Sequence, residues 1–519
     1  MVSDPVQKLI AKYQAYLETR ETAMRTNVDK IHVDEIASKI ATFYERVRNV
    51  IDFQEDHLIR RETINRILKR RIFLKEFDPR FAEPLIKELI RAAYLVNDSV
   101  PETKIADIQK IIDNLIFLRQ NSKFKNQTEK DKLSEWLITM ATATIEEELF
   151  PLEKAWMVAD TMLEIINNNL ILRNAKLSND EKRVQLFIAI QKALHRANKD
   201  LLEYRLLRFA YPSWGKWNQE ELNSVADQLP KIYRWTNEQL KNVYQSHFVR
   251  LASRYKIVFF VLGDLIFDGR SIQDKLETEA KEIYEARYKK EAAQLNRLAF
   301  LSVISFFLSK ILIAFAVEVP LDKLLTNSFS IINTAINIAF PPFLMLVIIA
   351  LVRMPSKHNF NLVLKEVKNV ISGEKREYII TIPKKRSWFS RMFVYLVYLA
   401  VFATTLYFMV RSLLYFDFSI ASIVIFCLFT SMVIATGVKV YNRSKSISLE
   451  KEKASIFKFL LDLISIPFMT IGRWVISGLS HFNILVVIFN LLIEIPFQIF
   501  VEFLENFRGF LKTKKDEQS

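Results

Sequence analysis

The chain has 519 residues, half of them hydrophobic, and a formal net charge of +15 at pH 7. Its one cysteine, Cys427, excludes a disulfide framework and a thiolate metal site. There are eight glycines and none precedes Gly215, a scarcity that argues against β-structure and predicts long helices. The N-terminal residues lack the apolar core of a signal peptide, so the segment before the first membrane span is expected to stay in the cytoplasm.

Residues 1–297 are predicted to form a large cytoplasmic all-helical domain, either a bundle or an irregular solenoid. Apolar residues recur at intervals of three and four, as in residues 36–51, which places them on one face of a helix. Two predicted capping boxes open further helices, Ser178 with Glu181 and Asn218 with Glu221. The fold class predicted from these patterns is all-α.

Three local features of this domain have a structural and a functional interpretation. The aromatic turn Tyr211–Trp217 could dock a partner, but such tryptophans more often anchor a loop on a core, which is the prediction here. The apolar run Ile257–Phe267 is too short to span a bilayer and is predicted to be a buried or interfacial helix. Glu146–Glu148 is predicted to be a solvated face, because consecutive residues point round a helix rather than at one metal.

Residues 298–352 are predicted to form a first transmembrane hairpin. Leu298–Val317 contains only Lys310 as a charge, and Phe329–Val352 contains none. Each segment has about the length that a bilayer core requires, roughly 20 residues. The turn between them is predicted at Glu318–Lys323.

Residues 392–441 are predicted to form a second hairpin, Met392–Phe416 and Phe418–Tyr441, joined by little more than Asp417. Basic residues flank the first span, fill the loop between the second and third spans, and follow the fourth. The positive-inside rule therefore predicts four crossings of the cytoplasmic (plasma) membrane, with the N-terminus and the C-terminus both in the cytoplasm.

The loop 353–391 contains ten Lys or Arg residues against three acids. Basic loops between spans are common and their usual neighbour is anionic lipid, so no nucleic-acid partner is expected. The candidate lipid contacts are Lys384, Lys385 and Arg386. Phe360–Ser372 is predicted to be a short helix, and Glu377–Ile382 a strand.

Lys310 is the most unusual residue of the spans, because a lysine inside a bilayer costs roughly 3 kcal/mol on insertion scales. With the turn at about Asp322, Asn333 and Asn337 lie at a similar depth on the second span. Lys310, Asn333 and Asn337 are therefore a candidate intramembrane polar cluster, with Lys310 hydrogen-bonded to one or both amides. Pro341–Pro342 removes helical donors one turn further on. The cluster is either a polar staple that fixes the hairpin or an ion or substrate contact.

Residues 442–519 are predicted to form a basic linker, two amphipathic or membrane-associated helices and a charged tail. The candidate polar faces carry Asp462 and Arg473 on the first helix, and Asn490 and Glu494 on the second. The preferred interpretation places both helices at the cytoplasmic interface, because insertion would bury their charges. A third transmembrane hairpin whose polar faces meet is the alternative.

Two segments carry a resemblance to a known family: Lys310–Asp322, KILIAFAVEVPLD, and Asn337–Met345, NIAFPPFLM. They look like an uncharacterised family of bacterial multi-pass membrane proteins, with the first hairpin covered best. That family has no activity to carry over. The resemblance implies a bacterial cytoplasmic membrane as the location.

The chemistry of an enzyme is not visible in the chain. There is no glycine-rich phosphate loop, no paired histidines with zinc spacing and no nucleophile elbow, so neither an activity nor a cofactor is predicted. Two function classes stay open. The preferred one is an interaction or scaffold protein that holds a helical domain at the membrane and binds protein, a second copy of itself or anionic lipid. The other is a channel or transporter that uses polar residues within the spans.

Overall fold

The computed structural model of the chain describes residues 2–25, 29–33, 56–74, 81–92, 94–123, 126–195, 197–326, 330–352, 354–355, 357–383, 387–450 and 456–481. The chain divides into two compact units. Unit 1 consists of Met1–Ala280 and Leu364–Pro383, and unit 2 of Lys281–Val363 and Lys384–Ser519. The described residues are overwhelmingly helical, as predicted.

Unit 1 is built mainly from amphipathic helices. Their bounds are α1 Asp4–Arg25, α2 Asp56–Leu74, α3 Ala82–Arg91, α4 Thr103–Asn121, α5 Gln127–Leu149, α6 Glu153–Asn168, α7 Asn179–His195, α8 Lys199–Ala210, α9 Gln219–Leu240 and α10 Gln245–Phe267. Both predicted capping boxes are confirmed. Before α7, the backbone N–H of Ser178 donates to the Glu181 carboxylate, and the backbone N–H of Glu181 donates to Ser178 Oγ. Before α9, Asn218 and Glu221 form the same reciprocal pair of hydrogen bonds. The helix predicted within residues 36–51 lies outside the described residues.

The described part of unit 1 also contains two short strands. β1 (Leu170–Arg173) and β2 (Tyr378–Thr381) pair in parallel, with Leu170 opposite Tyr378. The strand predicted at Glu377–Ile382 is therefore confirmed, whereas its partner was not predicted. The pairing makes the loop after the second apolar helix a part of the same compact unit as the N-terminal helices. Both segments must then lie on the same side of any membrane that the intervening helices cross.

The three carboxylates of Glu146–Glu148 are not a solvated face, and that prediction is wrong. Glu146 is 7% exposed and accepts a hydrogen bond of 2.8 Å from Arg61 Nε. The ion pairs are Arg61 with Glu146, Arg208 with Glu147, and Lys104 with Glu148. Because consecutive residues point in different directions round α5, each carboxylate meets a cation from a different helix.

The aromatic turn and the apolar run of unit 1 are both structural. Trp214 and Trp217 are 6% and 7% exposed and meet edge to face, with ring centroids 4.9 Å apart. The turn thus anchors a loop on the core, as predicted. The run Ile257–Phe267 forms the second half of α10, and most of its apolar side chains are buried.

Unit 2 contains helices that are long and apolar enough to cross a membrane. The helices are α11 Leu276–Ile313, which begins in unit 1, α12 Val319–Thr326, α13 Ile331–Leu351, α14 Lys357–Ser372, which ends in unit 1, α15 Trp388–Tyr415, α16 Ile420–Ser444 and α17 Ile456–His481. The described residues contain four candidate spans: Leu276–Lys323, α13, α15 and α16. The predicted number of spans is thereby supported by length and composition, a pattern compatible with a multi-pass membrane protein. The predicted helix in the basic loop is confirmed as α14, which is followed by Gly373 with φ +76°.

α17 packs along α15 and α16 rather than standing apart from them. Its Phe468 ring meets that of Phe402, with centroids 5.4 Å apart at 68°. Gly472 lies so close to the backbone of α16 that a Cβ there would be 2.0 Å from the carbonyl oxygen of Ser431. Phe402 and Ser431 both lie near the middle of their helices. The contacts of α17 therefore reach the middle of the apolar bundle.

Asn359 connects the start of α14 to the segment that follows α16 within unit 2. Its side chain is fully buried, and its Nδ2 donates to Tyr284 Oη and to the carbonyl of Ile447, both at 2.8 Å. Its Oδ1 accepts from the backbone N–H of Leu449 at 2.7 Å and of Glu450 at 3.3 Å. One amide thus binds four polar groups, three of them in buried hydrogen bonds and one in a part-buried one.

Candidate functional site: a buried polar cluster among the apolar helices

The first apolar helix continues past its predicted end. A π-helical turn, Ala314–Glu318, joins α11 to α12 without a break, so the turn predicted at Glu318–Lys323 is wrong. Pro320 explains the change of register. It has no N–H to give to the preceding turn, and the residue after the π-helical turn donates instead to the first carbonyl of that turn. Glu318 consequently stays on the helix.

Lys310 and Glu318 form an ion pair inside this helix bundle. Lys310 Nζ donates to Glu318 Oε2 at 2.9 Å, and both residues are 0% exposed. The ammonium also lies 5.1 Å from the centroid of the Phe429 ring on α16, a cation–π contact. Because an isolated charge inside a bilayer costs roughly 3 kcal/mol or more, the pairing makes this burial possible.

The other oxygen of Glu318 has two donors from neighbouring helices. Asn337 Nδ2, on α13, donates to Glu318 Oε1, and Ser422 Oγ, on α16, lies 2.5 Å from the same atom. Asn337 is also fully buried, and its Oδ1 has no hydrogen-bond partner among the described residues. Three helices thus meet at one carboxylate.

A second carboxylate lies next to the first. Ser422 Oγ, which contacts Glu318, is also 3.2 Å from Asp322 Oδ2, and Ser419 Oγ donates to Asp322 Oδ1. Ser419 caps α16 by accepting a bond of 3.1 Å from the N–H of Ser422. Asp322 is 7% exposed. The Glu318 cluster is the set Lys310, Glu318, Asp322, Asn337, Ser419 and Ser422.

The cluster contains two of the three residues that the sequence places together. Lys310 and Asn337 bind the same carboxylate, but the predicted hydrogen bond from Lys310 to an amide is wrong. A buried ammonium gains more from an anionic carboxylate than from a neutral amide oxygen. Asn333 lies elsewhere: its Nδ2 donates to the carbonyls of Phe416 and Asp417, 2.9 and 3.1 Å away, and so holds the turn between α15 and α16.

Glu318 and Asp322 are the residues that sequence reasoning missed as site members. Both were assigned to the turn Glu318–Lys323 between the two apolar segments of the first hairpin. Their spacing of four was the available signal, since residues i and i+4 share one face of a continuous helix. The serines of α16 carry no such signal, because their position against Glu318 depends on tertiary packing.

The cluster lies near one end of the bundle and is closed towards the other end. The bond of Asn333 to the α15–α16 turn brings both hairpin turns to the same end. Glu318 lies eight residues before the end of α12, about 12 Å along the helix axis. Deeper than Lys310 the bundle is filled by a buried apolar core: Leu295, Phe306, Met345, Phe429, Val433 and Val440. The Glu318 cluster thus lies between the turn end and this core, and Thr430 and Ser431 of α16 are buried further along the same helix.

Of the remaining predicted site residues, the structure describes the side chain of Arg473 alone. Arg473 is exposed on α17 and lies 2.6 Å from Met469 Sδ. The side chain of Asp462 and residues Asn490 and Glu494 lie outside what the structure describes, so the two predicted polar faces stay a prediction. The candidate lipid contacts also lie outside the described residues: Lys384, Lys385 and Arg386.

Comparison of the chain with protein-family models, with curated proteins and with solved structures finds no match. The function of the cluster therefore has to follow from its own geometry. In the described part of the chain, no group of three or more His, Cys, Asp and Glu side chains is arranged to hold a metal ion. The arrangement instead offers two carboxylates, one ammonium and hydroxyl bridges, which can hold, exchange or pass on a single positive charge.

Proposed function

We propose that the protein is a multi-pass membrane protein that carries protons or small monovalent cations across the bilayer through the Glu318 cluster. The observation that supports this most is the complete burial of the Lys310–Glu318 pair where three apolar helices meet. Ionisable residues inside spans are costly and usually mark an ion or substrate pathway.

A purely structural staple explains the cluster less well. Replacing a buried ion pair by apolar side chains of similar volume is often neutral or stabilising by about 1–4 kcal/mol, so stability alone gives no reason for the charges. The second carboxylate, Asp322, adds a further anionic group beside the pair. The apolar core beyond Lys310 indicates a closed state, so transport requires that core to open on the other side.

Flux across liposomes containing the purified full-length chain tests this proposal. A proton, Na⁺ or K⁺ gradient should drive a flux above that of protein-free liposomes, and Glu318→Gln should lower it at least tenfold. Asp417→Asn is the matched control, because that carboxylate is exposed in a turn at the same end of the bundle. Wild-type flux equal to the protein-free background under all three gradients would refute the proposal, as would equal flux from Glu318→Gln and wild type.

An interaction role for unit 1 is a second candidate, supported by the β1–β2 pairing. The pairing makes the loop between the second and third apolar helices part of the helical N-terminal unit, so a partner bound to unit 1 would act on segments joined directly to the spans. The proposed partners are a protein, a second copy of the chain, or anionic lipid at Lys384, Lys385 and Arg386. Charge reversal of these three residues should weaken binding of the full-length protein to anionic nanodisc lipid in a salt-dependent manner.

We place unit 1 and both termini in the cytoplasm of a bacterial cell, on the basis of the basic loop. We also propose that α17 is inserted beside α15 and α16 as the first helix of a third transmembrane hairpin, which was the alternative in the sequence analysis and keeps the C-terminus in the cytoplasm. An interfacial helix would contact only the ends of spans, whereas Gly472 meets the middle of α16. A cysteine at Asp417, with Cys427 replaced, should react with an impermeant thiol reagent on intact cells, and one at Glu374 in the basic loop should not. Labelling at Glu374 would reverse the orientation.

A further inference from the structure

The hydroxyl of Ser422 contacts oxygens of two different carboxyl groups but has only one proton to donate. Its Oγ lies 2.5 Å from Glu318 Oε1 and 3.2 Å from Asp322 Oδ2. A serine hydroxyl has one proton to donate and can only accept at its other positions. If both carboxylates were ionised, the hydroxyl proton would serve one of them or be shared weakly between both, so a buried carboxylate oxygen would lack a full hydrogen bond from Ser422.

One additional proton resolves this conflict. A proton on either carboxyl group lets that group donate to Ser422 Oγ, while the hydroxyl donates to the other carboxylate. The remaining contacts fit this state: Lys310 and Asn337 donate to Glu318, and Ser419 donates to Asp322. We infer that Glu318 and Asp322 bind one exchangeable proton between them through Ser422, so that the ion carried in the proposed function is H⁺.

A metal cation fits the same position poorly. Lys310 and Asn337 donate to Glu318, and Ser419 donates to Asp322, so these hydrogen bonds occupy oxygen lone pairs that a Na⁺ would need as ligands, whereas a proton needs only one. The other titratable groups near the pair are Lys323 on α12 and Asp417 before α16, both exposed, while the only titratable side chain in the first half of α16 is Cys427. α13 has none.

Binding of the proton can also change the hydrogen bond of Lys310, because Asn337 Oδ1 is an acceptor without a partner in the described residues. Asn337 is fully buried with its Nδ2 on Glu318, and its Oδ1 is the unsatisfied acceptor at the same carboxylate. When the proton sits on Glu318, the ammonium of Lys310 loses its anionic acceptor. Asn337 Oδ1 can then accept from Lys310, which is the bond predicted from the sequence. Protonation would thus move Lys310 between two acceptors at the inner end of the cluster.

Transport of the proton rests on the proposed function, whereas its binding between Glu318 and Asp322 does not. Infrared difference spectroscopy tests that binding directly. The full-length protein in lipid, shifted between two pH values, should show a carboxylic acid C=O band that is lost in Glu318→Gln and in Asp322→Asn. Ser422→Ala should shift the band, because it removes the hydrogen bond without changing any charge. The band should survive in Asp417→Asn, the exposed control. Bands from unit 1 cancel in the comparison of variants.

The outcomes separate the inference from the proposed function. A titrating band without liposome flux would leave the proton site standing and refute transport. Flux without a titrating band, or a band that responds to Na⁺ at constant pH, would refute the proton site and leave transport standing. If Glu318→Gln fails to fold, Lys310→Met/Glu318→Gln removes both charges together, and Ser422→Ala keeps both. An unshifted band in Ser422→Ala together with an unchanged band in Asp322→Asn would overturn the inference.

Discussion

Removing one member of the Lys310–Glu318 pair should destabilise the protein much more than removing both. Lys310→Met leaves a carboxylate that is 0% exposed without its cation, and Glu318→Gln leaves a buried ammonium without its anion. Breaking a buried pair by removing one partner costs about 3–5 kcal/mol, whereas replacing the whole pair is close to neutral. The double variant should therefore be more stable than either single variant, with a coupling energy of about 3 kcal/mol.

The assay is the free energy of unfolding of the full-length chain in mixed micelles, obtained by denaturant titration at one pH. Lys323→Met is the matched control, because this lysine lies on the same continuous helix but is exposed. Its effect should stay within about 0.5 kcal/mol. The reasoning would be refuted if Lys310→Met cost no more than Lys323→Met, or if the effects of the two single substitutions simply added in the double variant.

Three further predictions concern other parts of the chain. Gly472→Ala should destabilise the packing of α17 by about 1–3 kcal/mol in the same titration, because its Cβ would meet a backbone carbonyl; Gly437→Ala, which meets only an Ile side chain, should cost less. Asn359→Ala should cost about 3 kcal/mol by removing three buried hydrogen bonds and one part-buried one, and a cost below about 1 kcal/mol would contradict its role. Burial raises the pKa of Glu203, so the native state favours the neutral carboxyl and this contribution to stability is lost as pH rises through the folded-state value. Glu203→Gln should consequently raise the thermal midpoint of unit 1 at neutral pH but not in acid, and the opposite pattern would refute this sign.

Much of the fold could be predicted from short-range patterns. Segments of roughly 20 apolar residues give the spans, and the intervals of three and four give the helices of unit 1. Capping boxes at Ser178 and Asn218 depend on residues three positions apart, so they too are visible in the sequence. The strand β1 is not, because Leu170–Arg173 is four residues long, has no alternation and pairs with residues 378–381. Such a strand is defined by its distant partner.

The candidate site was predictable only in part, for the same reason. Lys310 and Asn337 stand out because a polar side chain in a span is rare. Glu318 and Asp322 did not, since Pro320 between them is a strong turn signal and only the π-helical turn keeps the helix intact. The prediction for the carboxylates of α5 was wrong in the opposite sense. Consecutive acidic residues usually face water, but these three pair with cations that come from three separate helices. In both cases the deciding contacts are tertiary.

The most direct test of the account is whether the Lys310–Glu318 contact exists in a lipid bilayer. Solid-state NMR on the full-length protein, with ¹⁵N in lysine side chains and ¹³C in glutamate carboxyl groups, should show a Lys–Glu contact that Lys310→Met removes. That contact should lack a correlation to water, because both side chains are fully buried. A spectrum in which Lys310→Met removes no Lys–Glu contact, or removes one that exchanges freely with water, would contradict a buried charge cluster among the spans.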